Sequence, residues 1–363
     1  MLRHHRLPSH TAETAACIAG EVRALVFSGV HERVREFLLA TLAADAFLVV
    51  SRKWSRTATA LTRLSFSQVP HVLPHNLANE AIETLNPVTS LVFDNDTELI
   101  TALRTSRWAA NIQADLEANV DWIEAAQPNC TWPPTPECLD GERPDIESFW
   151  GHLMLAIRWR ACFLQLSAAE KHRGKLYTWV LRTRPDFYTT CRVYPPAYLR
   201  MLNKPEWKGG RPVGSDKWVI YWWDHAAFMP RAAANTSLQQ LSLAKSANQC
   251  AGNVRLGQTM QLCNPCIMHL HGYRLFTFSP KTFGGASGLA RQCQTSGNAR
   301  SRCGGFSGPA LPRLNTTASC VRNLSRYVQK GWEADPTRWP ESKYLSRSMY
   351  YDLRNCSWAK RSH

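Results

Sequence analysis

The chain has 363 residues, 44% hydrophobic and 20% charged, the composition of a folded globular protein with room for one large domain or two ordinary ones. A net charge of +15 gives it a basic surface, suited to phosphates, anionic glycans, nucleic acid or acidic membranes. Lysine and arginine are spread along the chain and not gathered in a block, which speaks against nucleic acid as the partner.

Residues 1–13 read as a disordered lead. Ala15 to Ala19 is a short apolar run closed by Gly20, the pattern of a buried strand. Glu21 to Leu42 has helical periodicity, with a break at Ser28-Gly29, and Ala46 to Val50 is a second buried strand that ends in Ser51-Arg52-Lys53. Strand, helix and strand within about 35 residues make a βαβ unit and hence a parallel sheet. Residues 54–90 are mixed in pattern, Leu91 to Phe93 is a short strand, and Thr97 to Val120 is helical. Pro128 to Pro144 is an exposed Pro-rich loop, and Ile146 to Lys171 a long helix closed by Gly174. Leu176 to Leu181 and Trp218 to Trp223 are strands, and from Ala226 the chain turns helical to about Ala247. Residues 283–310 are rich in Gly, Ser and Arg without periodicity, and the rest is a Cys-bearing tail. The expected architecture is α/β: a Rossmann-like, mostly parallel sheet over residues 14–282 with a Cys-rich irregular extension over 283–363.

Twelve cysteines are many for a cytosolic protein of this size. Cys130 and Cys138 flank the Pro-rich loop, and seven more lie between Cys250 and Cys356 without the spacing of a zinc finger, which favours disulfides. Cys17 and Cys162 sit in apolar runs and are expected to be buried thiols. Cys263-Asn-Pro-Cys266 is a CxxC, yet no thioredoxin-like pattern surrounds it. N-x-[ST] sequons begin at Asn95, Asn129, Asn235, Asn315, Asn323 and Asn355. With the cysteines they point to the secretory pathway: the Golgi lumen, or secretion. Met1 to His10 is polar and basic, and no run of about 18 apolar residues follows anywhere. Membrane attachment would therefore need an anchor that this sequence does not contain.

Three predicted strand ends stop at charged groups, and ligands bind at that edge of open α/β sheets. After the first strand, Gly20 allows a tight turn, and a following helix would offer free N–H groups and Arg23 to a phosphate, although the local pattern equally fits an ordinary strand-to-helix turn with a surface arginine. After the fourth, Arg182, Arg184 and Asp186 alternate onto one face, which suits either a diphosphate or a structural Arg–Asp pair. After the fifth come Asp224 and His225, able to hold sugar hydroxyls, ligate a metal or take a proton, with Arg231 close in sequence. Asp224 equally fits a helix N-cap. His269 and His271 would share a face on a strand and form a possible metal pair. Trp222 and Trp223 stand near enough to stack on a sugar.

At these residues the chain resembles GT-A type glycosyltransferases, in particular algal and protist proteins of that class. The resemblance rests on Cys17 to Arg23, Asp45 to Val49, Arg182 to Asp186 and Asp224 to Arg231, in that order, over roughly residues 14–280. It implies a nucleotide-diphosphate sugar donor, a divalent cation (Mn²⁺ or Mg²⁺), a glycan or glycoprotein acceptor and a Golgi setting. Arg23, with Gly20, Arg182, Arg184 and Arg231, would then face the nucleotide diphosphate, Asp186 the metal, and Asp224 and His225 the chemistry. Asp186 has proline and not a second acid before it, so it stands in no unambiguous Asp-x-Asp triad. Two other readings remain open at this point: a lumenal sulfotransferase, and a non-catalytic glycan-binding glycoprotein.

Overall fold

The computed structural model describes residues 2–26, 28–52, 75–94, 96–105, 109–117, 144–185, 187–189, 218–222, 226–239, 268, 271–277 and 287–289. Its centre is an eight-stranded mixed sheet. The strands are β1 (Leu2–His4), β2 (Thr14–Glu21), β3 (Asp45–Ser51), β4 (Thr89–Phe93), β5 (Trp179–Thr183), β7 (Trp218–Trp222), β8 (Ala226–Pro230) and β9 (Arg274–Thr277), in the order β1-β4-β3-β2-β5-β8-β7-β9. A separate two-stranded ribbon pairs β6 (Phe187–Thr189) with β10 (Ser287–Leu289). β4, β3, β2 and β5 are mutually parallel, β8 runs against β5 and β7, and β9 runs parallel to β7. The expected mostly parallel α/β core is therefore present.

Burial on both faces explains the near-continuous apolar strands. Ala15, Cys17 and Ala19 of β2, with Phe47 and Val49 of β3, join the cluster of helix α5 (Pro144–Arg173). Ala16 and Ile18, with Leu48 and Val50, join the opposite cluster. There β2 leads into a 3₁₀ turn (Arg23–Val26), helix α1 (Ser28–Arg33) and a π-helical segment (Val34–Ala40), with α2 (His75–Leu85) alongside. Helices α3 (Asp96–Arg104) and α4 (Ala109–Glu117) follow β4, and α6 (Arg231–Leu238) packs beside α5. Gly174 ends α5 at φ +67°, the left-handed conformation expected at that position.

Several expectations are corrected. Residues 2–12 are not a disordered lead. β1 pairs antiparallel with β4, and the segment behind it is tied down by buried polar groups. Asp45 binds the Arg6 guanidinium at 2.7 Å, accepts from the Ser9 N–H at 2.9 Å and accepts from the Tyr177 hydroxyl at 2.7 Å. Arg173 donates to the His10 and Ala12 carbonyls and lies over the Tyr177 ring. Cys17 and Cys162 are not free thiols: they form a disulfide that joins the middle of β2 to α5 across 145 residues. A bridge closing so long a loop contributes about 2–5 kcal/mol.

The strand expected at Leu176 begins three residues later, at Trp179, where the Thr178 and Trp179 N–H groups both donate to the Glu13 carbonyl. Ala226 to Pro230 is a strand and not the start of a helix. Alanine and methionine favour helices, but all five residues are buried between two strands, and pairing on both sides overrides propensity. Helix α2 lies inside the stretch read as mixed, where Ala78, Ala81, Ile82 and Leu85 repeat at helical spacing. The Pro-rich loop through residue 143 and all but Ser287–Leu289 of the extension over 283–363 lie outside the described residues.

Burial raises the pKa of two tyrosines. Tyr221 is enclosed in the sheet, and Tyr177 is both enclosed and hydrogen-bonded to Asp45. The folded state keeps both protonated where the unfolded chain, at about 10, would release them. Their contribution is complete below pH 10 and is lost as the pH rises further. Tyrosinate absorbance at 295 nm is expected to show two tyrosines ionising only together with loss of circular dichroism. Ionisation of all ten tyrosines in the intact fold would contradict this.

Candidate functional site

The sequence order of the strands reverses between β2 and β5: β3 and β4 lie on one side of β2, and β5 opens the other. In open α/β sheets a crevice forms outside the carboxyl ends of the strands at such a reversal, because the connections leave in opposite directions. Two predicted segments meet there. Ile18 pairs with Thr183 as the last rung between the strands, and Gly20 then lies directly against Pro185. A Cβ built on Gly20 would stand 2.9 Å from the Pro185 Cδ, and Gly20 has φ +146°, a region closed to other residues. Glycine is thus required twice at this point, once for its own backbone and once for the ring beside it.

The third segment reaches the same edge by its ends. Thr183 pairs with Ala226, and Ala226 with Trp222, so β7 stops and β8 starts beside the carboxyl end of β5. Asp224 and His225, between those two ends in sequence, lie outside the described residues, as do Trp223 and Asp186.

Other predicted residues are placed as follows. Arg23 opens the 3₁₀ turn after β2, so the helix expected at once behind Gly20 begins only at Ser28. Arg182 is buried at 6% exposure, its guanidinium between the rings of Trp159 at 5.5 Å and Tyr221 at 5.9 Å. Arg184 is half-buried, and its carbonyl accepts from the Phe187 N–H, which turns the chain into β6. Arg231 is not brought to this edge. Pro230 pairs with Trp179 at the opposite end of β5, and Arg231 there forms a two-pronged ion pair with Glu170 of α5, at 2.7 Å for each contact. His271 lies exposed in a turn before β9 and not on a strand, and His269 is outside the described residues.

Two cations at the carboxyl edge were missed by sequence reasoning. Arg52 follows β3, is buried, and is held by Asp94 just after β4. Arg158 comes from α5, donates to the Ser51 Oγ at 3.3 Å and stands over the Phe93 ring. The signal existed: Arg158 and Arg160 interrupt an apolar helix stretch, and a buried helix tolerates charge only where it has partners. The edge is thus rich in guanidinium groups, which bind oxyanions as planar forks. Two carboxylates at this edge are engaged: Asp94 with Arg52, and Glu98 with the Asp94 N–H. Among the described residues no group of three His, Cys, Asp or Glu could hold a metal ion.

Fold and edge together define an α/β protein with a mostly parallel central sheet and arginines gathered at its strand-order reversal. No protein-family model matches the chain, and no curated protein matches it either. Among the described residues no helix is long and apolar enough to cross a membrane.

Proposed function

We propose that the chain is a glycosyltransferase that moves a sugar from a nucleotide diphosphate to a hydroxyl of a glycan or glycoprotein. The observation that carries this reading is the contact of Gly20 with Pro185 at the strand-order reversal, since it joins two of the three sequence segments at the edge where nucleotides bind. The missing side chain at Gly20 lets the Pro185 turn close against the end of β2, which joins the two segments proposed to hold the diphosphate. Arg23 and Arg184 would meet its negative charge, and the buried Arg182, behind them, would add to the positive field. Asp224 would orient the donor sugar or take the acceptor proton, with His225 as the other candidate base. Arg231 has no part in this version of the site, because Glu170 holds it at the far edge.

Mn²⁺ or Mg²⁺ would neutralise the leaving diphosphate, with Asp186 as its ligand. Among the described residues no His, Cys, Asp or Glu cluster is present for such an ion. The disulfide of Cys17 with Cys162 and the sequons support a lumenal or secreted setting. Of the sequons, Asn235 is on the described surface, exposed on α6.

The test is calorimetric binding of UDP and GDP with and without Mn²⁺, followed by a screen of nucleotide sugars for hydrolysis. One of the two nucleotides is expected to bind, and Asp186→Ala to lower turnover by about 10²–10³-fold. Turnover unchanged in that variant would remove Asp186 from the site. Preference for adenosine 3′,5′-bisphosphate would favour a sulfotransferase, and binding of neither class a glycan-binding protein.

A further inference from the structure

The amino edge of the sheet carries a second cleft, a strand's length or roughly 15 Å from the Gly20–Pro185 contact. It has a volume of about 410 Å³ and lies between His4–Pro8, the Val88–Thr89 start of β4 and the last turns of α5 from Gln165 to His172. Three features converge on it.

Its polar floor is incomplete. Gln165 is 2% exposed, its Oε1 accepts from the Thr89 Oγ1 at 2.8 Å, and its Nε2 is buried with no hydrogen-bond partner. An amide donor left in that state has lost its water without gaining an acceptor, a deficit that a ligand acceptor would make good. The rim carries His4, His5 and His172, and no described carboxylate lines the cleft. The wall is apolar, with Val88 and Leu7, and Leu7 is 73% exposed, one of two large hydrophobics so placed among the described residues. An apolar wall with a few convergent polar groups, at this size, is the usual make-up of a small-molecule site.

We propose that this cleft binds a small organic carboxylate, with its charged group toward Gln165 Nε2 and the histidine rim and its apolar body against Leu7 and Val88. A carboxylate only accepts hydrogen bonds and so complements an amide donor and imidazole N–H groups. A phosphate would call for fixed guanidinium forks, and the one arginine here, Arg6, is committed to Asp45. The site is separate from the proposed nucleotide crevice and does not depend on that reading.

Octanoate is the probe, titrated calorimetrically into the full chain with octanol as the neutral comparison. Octanoate is expected to bind at one site, with octanol at least about tenfold weaker. Gln165→Leu, close in shape, and His172→Glu, on the surface, are each expected to weaken octanoate by about fivefold or more, with circular dichroism and nucleotide binding unchanged. If Gln165→Leu does not fold, His172→Glu decides alone. No saturable binding of octanoate, equal binding of octanol, or full octanoate affinity in His172→Glu would overturn the proposal.

Discussion

Gly20→Ala is expected to abolish nucleotide binding and to lower stability by about 2–6 kcal/mol. Two costs add. A side chain at φ +146° is strained by about 1–3 kcal/mol, and the new methyl would stand 2.9 Å from a proline ring carbon. Forcing those atoms apart costs about 1–3 kcal/mol more, because the ring is rigid and the chain on either side of it is held. Thr183 is fixed by its rung to Ile18, and the Arg184 carbonyl by Phe187. Any relief therefore moves the turn at the crevice itself, where the diphosphate is proposed to lie. Gly174→Ala is the control. Its φ is +67°, but a Cβ there meets nothing within 4 Å, so it carries the backbone cost alone and leaves binding intact. Urea unfolding with calorimetric titration of UDP and GDP measures both effects. Nucleotide affinity unchanged in Gly20→Ala would separate the crevice from the ligand.

Glu170→Ala is expected to destabilise the fold by about 3–5 kcal/mol without touching the nucleotide crevice. Glu170 is 4% exposed and accepts three hydrogen bonds: two from Arg231 and one from the Tyr177 N–H. Removing it leaves a guanidinium packed over the Phe163 ring without its counter-charge, and a buried N–H without an acceptor. The paired change Glu170→Leu with Arg231→Met should recover part of the loss, since no lone charge then remains inside. That double variant also decides the role of Arg231. Sequence proximity to Asp224 places Arg231 in the donor site, whereas the fold places it at the other end of β8. Retained affinity for UDP or GDP in the double variant is the expected result, and its loss would return Arg231 to the site.

The reversal of Arg231 shows where sequence reasoning reached its limit. Gly20 with the apolar run before it, the parallel pairing of Ala15–Ala19 with Ala46–Val50, and the helix closed by Gly174 were all legible. Each rests on a local cause: burial on both strand faces, or a φ that only glycine takes easily. Ala226 to Pro230 was not legible as a strand, because its residues favour a helix and only the flanking strands make it extended. That one misreading hides the rest, since a five-residue strand carries Arg231 away from the edge where Asp224 would be, and a helix would have kept the two together. Arg158 was hidden differently: 107 residues separate it from Ser51 in the chain.

What the sequence by itself determined is the class of core, two-sided apolar strands alternating with helices, and the glycine and arginines at the strand ends. These are properties of short windows, fixed by hydrophobic period and by backbone geometry. Only the tertiary structure decided which strand ends are neighbours, that Cys17 meets Cys162, and that the first dozen residues close the sheet's far side. Those facts depend on contacts between residues far apart in the chain, and strand order is set by packing the whole sheet at once, which no local pattern encodes.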